Sequence, residues 1–362
     1  MKIQIAHDEI LRACGAAAKA VAPRTVRPVM TGLHMEAGDE GLRVTGTDLE
    51  VAISAMAACS IEEDGVAVVP ARQLIEVLRR CGDGDVLVAT GKDAGKNTVQ
   101  VKWGKAHFTL QGYDPHEYPP VEWPSVWDPA PGVRNALRNV CFAAASAETS
   151  RPLLTGVNIN KNGTLATDGF QVAHLETDLP MTEEVTLSAH NIEVVLSVFP
   201  AGEVELARGK AGVYLRGGDI RARVRALEGK YFDVLRLVPT GWGTTVHMDR
   251  KALLDALLRV STMVEQDPPH CVVFDVRAGA LGLKSEGDTG NSEESVDATV
   301  QGGKGLRLGI NCRQLAEGLK ALSGQQVVFR ANDSVSITSW EDGGNLHFYQ
   351  MPLQIQEHQA SA

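Results

Sequence analysis

The chain has 362 residues, of which 44% are hydrophobic, 22% charged and only 5% aromatic, with 36 glycines and 16 prolines. That balance excludes a disordered, collagenous or coiled-coil chain, fits two or three domains, and predicts aliphatic cores. A formal charge of −10 argues against gripping nucleic acid through bulk positive charge. In chain order, Met1–Ile5 alternates polar and apolar residues like a strand and lacks the apolar centre of a signal peptide. Ile10, Cys14, Ala17 and Val21 then put one apolar stripe on a helix. Further on come a second helix at Arg72–Leu78 and strands at Val86–Val88 and Val99–Trp103. A stiff proline-rich linker follows at Tyr118–Pro124.

The pattern then starts again. Leu137, Val140, Cys141 and Ala144 form a helical stripe, as do Ile192, Val195, Leu196 and Phe199, and strands follow at Val204–Leu206 and Val213–Leu215. After a second linker, Val238–Gly243, a third set begins with a helix carrying Leu253, Leu257, Val260 and Val264. Cys271–Val276 is a strand, Leu315–Leu322 a helix, and Val327–Phe329 and Val335–Ile337 are strands. Motifs repeat with the elements. Arg27-Pro28-Val29-Met30-Thr31-Gly32-Leu33 matches Arg151-Pro152-Leu153-Leu154-Thr155-Gly156-Val157, and Thr47-Asp48 matches Thr167-Asp168. Arg72-Gln73-Leu74 returns as Arg313-Gln314-Leu315. The reading is an α+β chain of three repeats with antiparallel sheets, at roughly 1–122, 126–243 and 245–362.

Enzyme chemistry finds no foothold. The segment Gly91–Asn97 resembles a phosphate loop, but it lacks the first glycine and has Asn97 where Ser or Thr would hold magnesium, so a hairpin turn is expected. Asp48 and Asp168 end strands and are read as turn caps; a cryptic carboxylate site is the alternative. The six cysteines show no Cys-x-x-Cys, which excludes the usual structural zinc pattern and predicts reduced thiols in a cytoplasm. No cofactor and no metal are expected. No apolar run approaches the ~18 residues of a membrane helix.

Thr45-Gly46-Thr47-Asp48-Leu49-Glu50, Val69-Pro70-Ala71-Arg72, the Arg151–Val157 motif, Ala166-Thr167-Asp168-Gly169 and Met351-Pro352-Leu353 together resemble the beta subunit of bacterial DNA polymerase III, the sliding clamps. The resemblance spans nearly the whole chain. It implies three similar clamp domains per chain, with two helices each lining a central hole and sheets outside. Two chains would close head to tail into a homodimeric ring around double-stranded DNA. It also implies a cytoplasmic, nucleoid-associated protein whose partners are the DNA polymerase III alpha subunit, the clamp loader and other proteins with a clamp-binding motif. An alternative within the family is a divergent second clamp acting as a partner scaffold.

The resemblance also implies site residues. Arg24 and Arg72 match positions that contact DNA. Arg27, Arg79, Arg80, Arg134, Arg138 and Arg151 are further candidates by helix position, as are Arg12, Lys19, Arg259 and Lys320. Leu154, Thr167, Gly169, Val172, Pro239, Met351 and Leu353 match a partner-peptide cleft, where Phe170, Gln171 and Tyr349 depart from the usual residues. Lys102, Lys105, His107, Phe108 and Leu110 match one side of the dimer interface. Thr262 and Met263 match the other, beside an acidic loop with Glu286, Asp288, Glu293 and Glu294. Glu148 and Ala189-His190 replace residues that usually favour DNA, and the chain runs on past Leu353 to Ala362. Charge placement supports the reading. The six helical segments sum to +3, and Arg24, Arg27 and Arg151 raise this to +6, so everything else carries −16.

Overall fold

In a computed structural model the described residues are 1–355, apart from 23, 94, 147–148, 182, 210–211, 265–268, 288–289 and 303–304. Glu148, Asp288 and the tail beyond Ile355 therefore lie outside the described residues. The first run of elements is β1 (Lys2–Ala6), α1 (His7–Ala17), β2 (Gly32–Gly38), β3 (Gly41–Thr47), β4 (Val51–Ala57), β5 (Ser60–Glu63), β6 (Gly65–Pro70), α2 (Ala71–Arg80), β7 (Asp85–Asp93), β8 (Lys96–Trp103) and β9 (Ala106–Gln111). The second is β10 (Asp128–Pro129), α3 (Val133–Cys141), β11 (Gly156–Asn160), β12 (Gly163–Thr167), β13 (Gln171–Glu176), β14 (Val185–Ser188), α4 (Ala189–Val198), β15 (Glu205–Gly209), β16 (Gly212–Gly217) and β17 (Ile220–Arg225). The third is β18 (Thr244–Asp249), α5 (Arg250–Val260), β19 (Cys271–Arg277), β20 (Ala280–Gly287), β21 (Gly290–Gly302), β22 (Arg307–Asn311), α6 (Cys312–Ala321), β23 (Gln326–Ala331), β24 (Thr338–Glu341) and β25 (Leu346–Gln350).

The order strand, helix, four or five strands, helix, three strands thus occurs three times. The chain nevertheless groups into two compact units. One is Met1–Arg134 with His190–Ala226, and the other is Asn135–Ala189 with the chain from Leu227 onward. Strand pairing explains the grouping. In the first unit, β17 pairs with β4, which makes one eight-stranded sheet in the order β10-β15-β16-β17-β4-β3-β2-β6. In the second, β13 pairs with β25, within a twelve-stranded sheet ordered β14-β11-β12-β13-β25-β24-β23-β18-β21-β20-β19-β22. The middle run gives strands to both units, and every pairing is antiparallel.

Period-two alternation fixes which face each sheet buries. In the first unit Leu42, Val44, Ile53 and Ala55 lie at or near zero exposure, and Ile10, Ala13, Cys14 and Ala17 of α1 are buried as well. Helix and sheet come close enough that a Cβ on Gly46 would sit 2.1 Å from the Ala17 carbonyl oxygen. In the second unit Trp340 stacks on Phe329 at 4.5 Å and meets Phe274 edge-on at 6.0 Å, all fully buried. Gly318 of α6 lies against the ring of Phe348, where a Cβ would approach to 2.5 Å. Side chains of Asp249 and Asn311 cap α5 and α6.

Three expectations need correction. Val335–Ile337 is not a strand: Asp333 accepts from the amides of Val335 and Ser336, and this turn delays the strand to Thr338. Val21, Ala144, Phe199, Val264 and Leu322 fall outside their helices, which end at Ala17, Cys141, Val198, Val260 and Ala321. Tyr118, placed in the linker, is buried, with its hydroxyl donating to the Thr45 carbonyl at 3.1 Å. Gly91–Asn97 lies in the β7–β8 hairpin, as expected, with Lys92 paired to Asn97 and Asp93 to Lys96.

Two substitutions in the Thr-Gly-Thr-Asp-Leu motif read this packing. Leu49 adopts φ +80, a left-handed conformation unfavourable for leucine. Gly46→Ala is expected to destabilise by about 1–3 kcal/mol through overpacking. Leu49→Gly is expected to be neutral or to stabilise by up to about 1 kcal/mol. Urea unfolding of the two variants checks both signs.

Candidate functional site

The most elaborated surface lies in the second unit, on the sheet where β13 meets β25. The turn leading into β13 is a self-contained hydrogen-bonded unit. Thr167 Oγ1 donates to the Gln171 carbonyl at 2.6 Å and accepts from the Gly169 amide at 3.0 Å. Asp168 Oδ1 accepts from the amides of Phe170 (2.7 Å) and Gln171 (2.9 Å). Gly169 sits at φ +97, which a glycine adopts without strain. Asp168 is therefore the turn cap expected. Asp48 does the same for Glu50 and Val51, at 2.9 and 2.7 Å.

Beyond the turn, the ladder pairs Val172 with Tyr349 and Gln171 with Gln350, and the Met351 amide donates to the Phe170 carbonyl at 2.8 Å. Alternation then sorts the side chains. Phe170, Val172, Tyr349 and Met351 share one face; Gln171 and Gln350 share the other. On the first face Val172 is buried with Leu165 and Tyr231, and Leu153, Val234, Leu235 and Tyr349 pack partly buried around them. Phe170 (66% exposed) and Met351 (37%) stand at its open end. Tyr231 holds the floor: its hydroxyl accepts from the Thr167 amide at 3.2 Å and donates to the Gly156 carbonyl at 3.1 Å. Burial pushes the Tyr231 phenol well above its ordinary pKa, so it stays protonated. This half-buried apolar face, ending in an aromatic ring and a thioether, suits short apolar side chains of a peptide.

The other face is a buried polar network. Gln171 Nε2 and Gln314 Nε2 both donate to Asp168 Oδ2, at 3.1 and 2.9 Å. Gln350 Nε2 donates to the Asn311 carbonyl (3.0 Å) and to Gln314 Oε1 (3.1 Å). Gln171, assigned to the cleft from sequence, faces this network instead. Leu154 is buried; its neighbour Leu153 packs against the apolar cluster. Pro239 is half-buried just past the short helix Val234–Leu237. Leu353 bridges to Gly309, its amide donating to the Gly309 carbonyl at 2.8 Å. Leu153, Tyr231, Val234 and Leu235 were missed. The apolar spacing of Val234, Leu235 and Leu237 before Pro239 was their available signal.

The arginines separate into free and engaged. In the first unit, Arg24, Arg27, Arg72 and Arg79 are exposed and make no ion pair among the described residues. Arg72, Ile75, Glu76, Arg79 and Arg80 line one shallow hollow on α2. Arg80 pairs with Glu76 at 3.4 Å, and Arg134 donates to the Pro200 carbonyl. Arg12 is held by Glu9, Asp219 and the Met56 carbonyl. In the second unit, Arg138 and Arg151 are exposed, and Arg259 and Lys320 are paired with Glu294 and Glu317. His190 is exposed and Ala189 buried.

Two sheet margins remain. β9 is the last strand of the order β5-β1-β7-β8-β9, with Phe108 and Leu110 half-buried and His107 exposed; Lys102 and Lys105 nearby are exposed as well. In the second unit, among the described residues, Gly290–Asp297 of β21 pairs with β20 on one side alone. Beside it, Thr262 is exposed on the turn Ser261–Met263, and Met263 is half-buried. Glu293 and Glu294 are not free acids: Lys284 and Arg277 hold Glu293, and Arg259 holds Glu294 in a fork. These hydrogen bonds keep both carboxyls below their ordinary pKa.

Comparison with known proteins agrees across the chain. The family model for the DNA polymerase III beta subunit N-terminal domain matches residues 1–122, and that for its C-terminal domain matches residues 235–356. The beta sliding clamp of Synechocystis is 28% identical over 372 residues, covering 92% of this chain and 93% of that protein. The DNA polymerase sliding clamp of Bacillus subtilis superposes with a TM-score of 0.91 at 22% identity, covering 98% of this chain and 99% of that one. The sliding clamp of Pseudomonas aeruginosa bound to griselimycin superposes with a TM-score of 0.87 at 25% identity, covering 98% and 100%.

The hydrogen-bond pattern sets an expected contrast between the two matching aspartates. Asp168→Ala removes a carboxylate that accepts four hydrogen bonds and should cost about 2–3 kcal/mol. Asp48→Ala, losing only the two turn bonds, should cost about 1 kcal/mol. Equal losses in chemical denaturation would contradict the role given to Gln314.

Proposed function

Because the chain belongs to the DNA polymerase III beta subunit family, the bacterial sliding clamps, we propose that it is a processivity factor: a homodimeric ring that encircles duplex DNA and tethers polymerase to it. The observation that carries this reading is a pair of open edges. β4–β17 and β13–β25 are the two seams between successive repeats within the chain. A third seam of the same kind would join β9, the counterpart of β17 and β25, to the open part of β21, the counterpart of β4 and β13. One chain has both halves left over, so two chains supply two such seams and close a ring of six repeats. Domains of 1–122, 126–243 and 245–362 follow from this repeat. Phe108 and Leu110 on β9 and Thr262 and Met263 beside β21 flank the proposed interface. Lys102, Lys105 and His107 would steer assembly more than tighten it.

Topological linkage removes the need for tight contacts, which suits a net charge of −10. Among the described residues, Arg24, Arg27, Arg72, Arg79, Arg138 and Arg151, with Lys19, are candidate cations free for DNA phosphates, and Arg80 is available through a weak pair. Arg134 is spent on its own fold. The apolar face of Phe170, Val172, Tyr349 and Met351, with Pro239 and Leu353 nearby, is the docking cleft for the polymerase alpha subunit, the clamp loader and related partners. The protein needs no catalytic group, and its two motif aspartates are occupied as turn caps. It acts in the cytoplasm on the nucleoid.

The ring has a direct test. The protein should run at twice 38.8 kDa, remain on nicked circular DNA after loading, and leave when that DNA is linearised. Phe108→Asp should yield a monomer and abolish retention; retention on linear DNA with free ends would refute the ring. The cleft is tested separately. Phe170→Ala and Met351→Ala should each weaken a hydrophobic clamp-binding peptide by about 1–2 kcal/mol, measured by calorimetry, with the dimer intact.

A further inference from the structure

The seam in the first unit copies the seam that carries the peptide cleft. The Arg225 amide donates to the Glu50 carbonyl at 2.8 Å, as the Met351 amide does to Phe170. Ala52 pairs with Arg223 as Val172 pairs with Tyr349. The turn Thr47–Val51 makes the same four hydrogen bonds as Thr167–Gln171. A buried tyrosine closes each floor, Tyr118 in one and Tyr231 in the other.

Their chemistry differs. Glu50, Ala52, Arg223 and Arg225 stand where Phe170, Val172, Tyr349 and Met351 stand. Arg225 is neutralised by Glu50 at 3.0 Å, Arg43 by Glu40 at 2.9 Å, and Arg216 by Glu205. Two cations remain. Arg221, half-buried and opposite Ser54, has no ion pair among the described residues, and burial together with Arg43 and Arg216 lowers its guanidinium pKa. Arg223 spends one nitrogen on the Leu49 carbonyl at 3.2 Å, while its buried Nε has no partner. Trp123 meets Tyr214 edge-on at 6.2 Å, and the Arg216 guanidinium lies 4.9 Å from the Trp127 ring. Beside them is a pocket of about 350 Å³ walled by His34, Tyr118, Pro119 and Trp123, with Arg43 and the acid Glu36 among its lining residues.

We propose that this groove is a second docking site, and that it takes an extended acidic peptide segment of a partner protein. Arg221 and Arg223 are two residues apart on one strand, so they lie roughly 6.5–7 Å apart along it. Alternate carboxylates of an extended peptide have the same spacing. The two guanidiniums bind the carboxylates, and the neighbouring pocket takes one apolar side chain of the same segment. The repeat has thus produced two seams of one backbone geometry, one selecting apolar motifs and the other acidic ones. The inference rests on the reading of the β13–β25 face as a peptide cleft.

The probe is a fluorescein-labelled ten-residue peptide alternating glutamate and serine with one central leucine. Its control carries glutamine for glutamate. Anisotropy with the full chain should show binding of the acidic peptide that weakens with salt, and none of the control. Arg221→Gln and Arg223→Gln should each weaken it by about tenfold or more, while Met351→Ala leaves it unchanged. Thermal unfolding identifies variants that have lost the fold, and Arg221→Lys should retain part of the binding. Equal affinity for the two peptides, or a folded Arg221→Gln/Arg223→Gln double variant that binds like the parent, overturns the proposal. A hydrophobic clamp-binding peptide, measured in parallel, reads the first cleft on its own. Its failure counts against the sliding-clamp reading, and failure of the acidic peptide alone counts against the second site.

Discussion

Continuous backbone pairing across repeat boundaries is the constraint on which the structure depends. A sheet edge presents a row of unpaired amides and carbonyls, and a three-repeat chain must dispose of several. Here two are closed inside the chain by β4–β17 and β13–β25. The Thr-Asp turn makes the closure possible. It reverses the chain just before the seam strand and fixes which face that strand turns outward. The proposed apolar cleft, arginine groove and subunit contact would be three uses of one backbone arrangement, told apart by about four side chains each.

The same economy explains the electrostatics. Many charges are spent in ion pairs, such as Arg12 with Glu9 and Asp219, or Arg259 with Glu294. Exposed pairs of this kind add little stability, but they cancel fields. The unpaired guanidiniums on helices and turns carry more weight than their number suggests. An acidic protein can therefore address an acidic polymer where its own anions are kept away.

Much of this was legible in the residues. The Arg-Pro and Thr-Asp motifs exposed the repeat, because turns need particular side chains and so leave a strong signal. Strand alternation and helical stripes located most elements. The sequence was less informative about which side chains on a given strand meet the cleft. The resemblance assigns Gln171 to the cleft, yet the pleat turns it toward Asp168, which also accepts from Gln314, 143 residues beyond Gln171 in the chain. Leu153 and Leu154 are chemically equivalent, and only the short helix they occupy decides which reaches the apolar cluster. Pairing of Glu293 and Glu294 within their own neighbourhood was likewise invisible, since it depends on α5, β19 and β20 lying beside β21. Val335–Ile337 shows the opposite failure: strand-like residues were overruled by one aspartate two positions earlier.

β21 has thirteen residues and serves two partners in succession, β20 with its first part and β18 with its last. A strand that carries one ladder after the other behaves as a beam. Bending the sheet where the ladders meet must stretch or shear hydrogen bonds in both, so deformation is resisted along its whole length. If β9 of a second chain binds its free margin, that contact lacks a covalent tether and is the most compliant joint in the assembly. Mechanical load applied to a ring built this way would be released there, leaving the folded chains intact and ready to close again.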